Sequence, residues 1–345
     1  MKTDSKDKIV PTRKIVGLFV FIAIILGLII TTFVIQQNEN ANIKEPEGSI
    51  ENRFINDPPI VYKEQTYYKK KQVENYLFIG TDKAENTQDI VATDSATKYR
   101  NGAQSDFLML LVVDHKEETI KRLLIDRDTM AEVTVLDTLG NEAGKMNLQI
   151  CLAHAFGETK VENSIYAMRA VSRLLNSAFI EGYLTLNMTG INELNSLVGG
   201  VTVTLKDDFS SIDPTMVKGA TINLQGEQAE IYVRSRMNVG DGKNATRMVR
   251  QTDYLTKLGD KILKNIENNP NFADTLLDDM EEDLYTDLSR GRLINEINRA
   301  EHYKVQPIQT LVGEHTTSDS GLVEFYPDKD ALLETILGLF YTTKK

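Results

Sequence analysis

The stretch Tyr232–Gln251, YVRSRMNVGDGKNATRMVRQ, carries Arg234, Arg236, Arg247 and Arg250 and ends on Gln251, in a chain of 345 residues with a formal net charge of -11. A guanidinium group presents a rigid fork of donors that matches phosphate oxygens in pairs. On a helix, Arg247, Arg250 and Gln251 fall at i, i+3 and i+4 and share a face. Read as a strand, EIYVRSR puts Arg234 and Arg236 on one face as well. If that strand end and the helix start converge, four guanidiniums and an amide line one pocket. The helix N-terminus adds partial positive charge for the same anion. Arg127, in LLIDRDT, is a fifth arginine just beyond another predicted strand. Ordinary solvated helix surface is the competing reading for Arg247 and Arg250.

Two acids suggest a second element. Asp82 follows NYLFIG and Asp106 precedes FLMLLVV, so the two could meet at a sheet edge and hold a hard cation through oxygen. Magnesium suits a pocket that also binds phosphate; turn formation and capping is the competing reading. No GxxxxGK[ST], GxSxG, HExxH or paired CxxC is present, and those motifs carry the commoner nucleotide, hydrolase and zinc chemistries. His115, His154, His302 and His315 are scattered, which leaves a zinc hydrolase or a Ser-His-Asp triad without support. His154, in CLAHAFG, reads as a packed core residue. The single cysteine, Cys151, excludes an intramolecular disulfide and reads as buried filler.

These residues need a frame. NYLFIG, FLMLLVV and TIKRLLI are short continuous apolar runs, as expected of strands covered on both faces. A helix is predicted over about Glu162–Asn176, a strand at VTVTL after Gly199-Gly200, and another strand at EIYVRSR. A long amphipathic helix follows at about Ala245–Ile266, with Asn244 or Thr246 as N-cap. Further helical patterns lie near Phe272–Asp287, Arg290–Ala300 and Asp330–Tyr341. The expected fold is α/β with a mixed central sheet flanked by helices over 72–267, and a helical C-terminal extension over 268–345 packed on it. Ligands of such sheets bind beyond the carboxyl ends of the strands, where Asp82, Arg127 and Arg234 fall.

Ile15–Ile35 is 21 residues without a charge, enough for a helix rising about 1.5 Å per residue to cross about 30 Å of hydrocarbon. It is longer than the apolar core of a signal peptide, and QQNENANIK offers no convincing cleavage site. In the 1–14 tail, Lys2, Lys6, Lys8, Arg13 and Lys14 stand against Asp4 and Asp7, a count of +3. That tail should remain cytoplasmic and the rest face outward, with 36–71 as a polar stalk in which YYKKK is either a basic patch or the start of the fold. The outward part carries -11 less +3, or -14, which argues against nucleic acid as a partner.

The order LFIGTD, SDFLML, LLIDRDTM, KMN…LAHAFG, LNSLVGGVTV, YVRSR and R..RQ resembles the LytR-CpsA-Psr family of membrane-anchored cell-wall enzymes. Each motif alone is weak; seven in order, over roughly Tyr76–Ile262, are specific. The resemblance implies a magnesium-dependent phosphotransferase of the bacterial cell membrane. Such an enzyme moves a glycopolymer or oligosaccharide from a polyprenyl-pyrophosphate carrier to a peptidoglycan sugar hydroxyl, forming a phosphodiester. It also implies a deep cleft for the prenyl chain and an arginine-rich mouth for the pyrophosphate. Carried over by motif, Arg127, Arg234, Arg236 and Arg247 are the catalytic arginines, and Arg250 and Gln251 join them in binding pyrophosphate. Asp82 and Asp106 match the magnesium-associated acids. The sequence departs from the family pattern where Asn244 replaces a frequent acid, and where Ala84 and Gln104 stand near the places of two common arginines. The base that activates the acceptor is thereby left open. The alternatives are a non-catalytic binder of prenyl lipid or wall polymer, a membrane-bound transcriptional attenuator, and a pyrophosphatase; the fourteen-residue tail is too short for a DNA-binding domain.

Overall fold

The computed structural model of the chain describes residues 58–82, 103–137, 139–157, 159–188, 190–269, 272–280, 282–289, 292 and 303–343. The span expected at 15–35 and most of the stalk fall outside them. Among the described residues, no helix is long and apolar enough to cross a membrane.

The fold is mixed α/β. Its six-stranded sheet is built on β3 (Val73–Thr81), β4 (Ser105–Asp114) and β5 (Thr119–Ile125). β4 runs antiparallel to both neighbours. β8 (Gly182–Asn187) adds to β3 in parallel. The edges are β11 (Leu284–Thr286), antiparallel to β8, and β12 (Lys304–Thr310), parallel to β5. β3 and β4 carry continuous apolar runs, Tyr76–Ile79 and Phe107–Val113, because both faces of the sheet are covered. Tyr76, Phe78, Met109 and Leu111 face one core, and Leu77, Ile79, Leu108 and Leu110 the other.

The second core is closed by a 3-10 helix (Ile150–Ala155) and by α1 (Lys160–Leu174). A capping box starts α1: Thr159 accepts from the Glu162 N–H, and Glu162 reaches back to the Thr159 N–H. The first core is covered by α2 (Gly190–Leu197), α3 (Gln228–Arg234) and α4 (Asn244–Asn268). Beside the sheet lie the hairpins β6 (Met130–Leu136) with β7 (Glu142–Gln149) and β9 (Thr202–Thr204) with β10 (Thr221–Asn223).

Several sequence expectations change here. EIYVRSR is not a strand but the end of α3, where Ala229, Tyr232 and Val233 are buried at helical spacing. A short apolar run does not by itself separate the two. Consequently Arg234 and Arg236 do not share a strand face: one ends α3 and the other lies in the loop after it. The segment after 267 is not a helical extension. It holds α5 (Phe272–Asp279), the sheet edges β11 and β12, and a hairpin of β13 (Gly313–Thr317) with β14 (Val323–Pro327). After these come α6 (Lys329–Phe340) and β15 (Tyr341–Thr343). β12 escapes a pattern reading because Pro307 sits in its register shift between Val305 and Ile308, as suits an edge strand. The last third of the supposed stalk also belongs to the fold. β2 (Gln65–Lys69) pairs with β1 (Ile60–Tyr62) on one side and β15 on the other, so YYKKK begins the domain. The pattern at 290–300 lies outside the described residues except for Arg292.

Candidate active site

The carboxyl ends of β3 and β5 and the start of β4 lie at one edge of the sheet, because β4 is antiparallel to both. Gly80 pairs with Phe107 and Thr81 with Ser105, which leaves Asp106 as the extra residue of a bulge. A bulge re-aims its side chain out of the ladder. Beyond β5, the Arg127 guanidinium donates to Asp106 Oδ1 and to Gln104 Oε1, and its Nη2 lies 3.2 Å from Cys151 Sγ.

α4 starts against this edge and brings Asn244, Arg247, Arg250 and Gln251, all buried. Lys243 occupies the N-cap position with no side-chain cap bond, so neither Asn244 nor Thr246 serves as the cap. Asn244 is used elsewhere. Its Nδ2 donates to Asp126 Oδ1 at 2.6 Å, and its Oδ1 accepts from Arg247 Nε and Nη2 at 3.0 and 2.5 Å. Arg247 Nη1 lies 3.5 Å from Asp106 Oδ2, so Arg127 and Arg247 converge on one carboxylate.

The other predicted residues gather around this pair less tightly. Arg234 Nε is 3.2 Å from Asp82 Oδ1 and its Nη1 is 3.1 Å from Glu230. Arg236 Nη1 is 4.0 Å from Asp128 Oδ2. Arg250 is turned toward the helix flank. It donates to the Ser235 carbonyl, lies 5.0 Å above the Phe209 ring and stands 3.6 Å from Asp207.

Burial, reinforced by Arg127 and Arg236, lowers Arg247 to about 10, so it keeps its charge at neutral pH. Burial lowers Arg250 too. Burial, and then the neighbouring Asp126, push the Asp128 carboxyl up against the pull of Arg127, Arg236 and Arg247. The Cys151 thiol is raised by burial despite Arg127, which keeps it a neutral packing group rather than a nucleophile. His154 is buried, held by its Nδ1 2.8 Å from Ala103 O, and lowered by burial to about 4. It is a neutral core residue, as the sequence suggested.

Several buried polar atoms have no hydrogen-bond partner: at this edge Arg127 Nε, both amide atoms of Gln251, Asp82 Oδ1 and Asp128 Oδ2, and on the helix flank beside Asp207 the Arg250 Nε and Nη1. Buried polar groups are nearly always satisfied, and leaving one unmade costs about 1–3 kcal/mol. The open donors of Arg127 and Gln251 make a cradle for anionic oxygens. Beside Gln251 opens an apolar slot whose walls include Phe78, Phe107, Leu184, Ile191, Tyr254 and Leu258.

Asp82 and Asp106 come to the same edge, but each also faces an arginine. Among the described residues no group of three or more His, Cys, Asp or Glu is arranged around a common point. Asp82 Oδ1 is nonetheless a buried oxygen without a hydrogen-bond donor. The pair fits a hard cation that takes its remaining ligands from phosphate and water.

Sequence reading did not find His315. From the β13–β14 hairpin its Nε2 comes within 2.9 Å of Asp126 Oδ2, across 189 residues of chain. No local spacing signals such a contact.

Comparison with known proteins bears on the family and the fold. The chain is 26% identical over 237 residues to biofilm regulatory protein A of Streptococcus mutans, covering 66% of this chain and 56% of that protein. It is 29% identical over 199 residues to the polyisoprenyl-teichoic acid–peptidoglycan teichoic acid transferase TagV of Bacillus subtilis, covering 56% of this chain and 44% of that one. The chain thus spans about half the length of these relatives. It is 25% identical to TagU of Enterococcus faecalis, covering 77% and 79% of the two chains. The fold matches crystal structures of gbs0355 from Streptococcus agalactiae (TM-score 0.60, 22% identity, 78% and 86% covered) and of Bacillus subtilis TagV (TM-score 0.57, 22% identity, 78% and 96% covered). Residues 31–336 match the LytR_cpsA_psr family, and the chain belongs to that family.

Proposed function

We propose that this protein is a cell-wall phosphotransferase that takes a glycopolymer or oligosaccharide from a polyprenyl-pyrophosphate carrier and joins it through a phosphodiester to a peptidoglycan sugar hydroxyl. The observation that carries this reading is the juncture at Gln251, where unsatisfied buried donors meet an apolar slot. One ligand that needs both is a pyrophosphate attached to a long hydrocarbon. The names of the teichoic acid transferases among its relatives support the same reading.

Phosphoryl transfer leaves a protein mainly positioning and charge stabilisation to supply. Arg127 and Arg247, held on Asp106, would neutralise the pyrophosphate and the charge developing on the leaving polyprenyl phosphate. Arg234 and Arg236, with more exposed side chains, would close on the phosphates from the opposite lip. Arg250 and Gln251 would orient the phosphate nearest the slot. The slot would take the prenyl chain, since burying apolar surface yields about 25 cal/mol per Å². Asp82 and Asp106 would hold magnesium, which when bound supplies charge neutralisation on phosphate oxygens. The apolar segment 15–35 would anchor the chain in the bacterial membrane with the domain facing the wall.

The test is transfer by the full chain in detergent, with magnesium, a radiolabelled polyprenyl-pyrophosphoryl-N-acetylglucosamine and peptidoglycan oligomers. Label should pass to peptidoglycan, and Arg127→Ala should slow the transfer by about 10²–10³-fold, the usual effect of removing one charge-stabilising donor. Donor that is bound but never transferred would make this a binding protein.

A further inference from the structure

Three groups in line connect the anion cradle to the C-terminal hairpin. Arg247 donates to Asn244 Oδ1, Asn244 Nδ2 donates to Asp126 Oδ1, and Asp126 Oδ2 lies 2.9 Å from His315 Nε2. Asp126 is buried and also accepts from the Asp128 N–H at 2.9 Å. Its two oxygens are therefore fixed from the backbone, the helix and the hairpin. The His315 side chain, in contrast, is 41% exposed.

The hairpin is built to hold the ring there. His315 packs on the buried Phe325 ring, with centroids 4.7 Å apart. The Phe325 N–H donates to Asp128 O at 2.8 Å, and Phe325 bridges to Thr129, so the hairpin is stitched to the loop that carries Arg127. Gly313 allows this closure: a Cβ there would lie 2.2 Å from the Tyr326 carbonyl oxygen.

We propose that His315, oriented by Asp126, is the general base that takes the proton from the acceptor hydroxyl. This rests on the transferase reading above. With the Nε2 proton donated to Asp126, Nδ1 is left as the basic atom, and the carboxylate stabilises the imidazolium that forms. In the step, the hydroxyl proton passes to His315 Nδ1 as the oxygen attacks the phosphorus bearing the saccharide. The bond from that phosphorus to the bridging oxygen breaks, and polyprenyl phosphate departs with the electron pair. His315 then releases its proton to solvent. The assignment explains how the chain works with Asn244 at the start of α4: the amide ties Arg247 to Asp126, and the base comes from the C-terminal hairpin instead.

The charged group against the ring is Asp126; Asp128 follows it at the end of β5 with Arg127 and Arg236 paired to it, Arg247 reaches Asp126 through Asn244, and Glu314 precedes His315 in the hairpin. The test uses the full chain, radiolabelled polyprenyl-pyrophosphoryl-N-acetylglucosamine and peptidoglycan oligomers, comparing the native protein with His315→Ala and His315→Gln. Both variants should lose about 10²–10⁴-fold in transfer rate, while donor affinity and unfolding temperature stay at native values. The native rate should fall toward acid with a slope of about one in log kcat/KM, and that limb should vanish in both variants. Added imidazole should restore part of the His315→Ala rate. Transfer by His315→Ala within threefold of native, or a loss matched by an equal loss of donor affinity, overturns the base and leaves the transferase standing. Absence of transfer by the native protein overturns both.

Discussion

The two faces of the central sheet are made from the same strands, and alternate residues of β3 and β4 supply each. On one face the covering elements present Ala153, Ala167 and Ala170 to the core beneath the sheet, and each is fully buried. On the other face Phe78, Phe107, Tyr254 and Leu258 line the slot that opens between the strands and the helices. Small residues let a helix settle to close packing; large ones set a spacing that can be filled by a ligand instead. The difference teaches that one face is closed by packing alone while the other leaves room for a ligand. The arginine cluster sits at the end of the sheet where the open face meets solvent.

The largest effect should come from the closed face and depend on pH. His154 lies in the 3-10 helix against α1, with its Nε2 3.4 Å from Ser164 Oγ, and burial lowers it to about 4 from the usual 6.5. The unfolded chain therefore binds this proton more readily than the folded one between pH 6.5 and 4. Stability should be fully present above pH 6.5 and fall as the pH drops through that window, by up to about 3 kcal/mol. Denaturant unfolding at pH 7 and pH 4.5 measures this, and His154→Gln should flatten the difference. An unchanged slope in that variant would remove His154 from the account.

A smaller effect comes from adding equal bulk to each face. Ala170→Leu should lower stability by about 1–3 kcal/mol through overpacking and leave prenyl-pyrophosphate affinity unchanged. Leu194→Phe, on the slot wall, should shift stability by under about 1 kcal/mol, since the ring has space to enter. It should weaken prenyl-pyrophosphate binding by about tenfold, or about 1.4 kcal/mol. Equal destabilisation by both variants would mean that the two faces do not differ as described.

How much of this was legible in the sequence follows from the range of each signal. β3, β4 and β5 were readable because burial on both faces makes them continuous apolar runs. α4 was readable because its 25 residues repeat an apolar stripe several times. Arg127, Arg247, Arg250 and Gln251 stood out because charge and amide at the end of apolar elements need a reason. α3 was misread because seven residues are too few to separate periods of 2 and 3.6. β12 was lost to Pro307, and the role of Asn244 was hidden because its partner Asp126 lies 118 residues away. The C-terminal third read as helical because α5 and α6 carry strong patterns, while the short strands between them gain their identity from pairing with β5 and β8.

The central claim is that slot and arginine cluster form one site for a lipid-linked pyrophosphate. The most direct measurement is the affinity of the full chain for inorganic pyrophosphate and for farnesyl, geranylgeranyl and longer polyprenyl pyrophosphates, by titration calorimetry with magnesium present. The account predicts that affinity climbs with each added isoprene unit until the slot is full, and that Leu194→Phe ends the climb early. Affinity that is the same for inorganic pyrophosphate and for every prenyl length would contradict it.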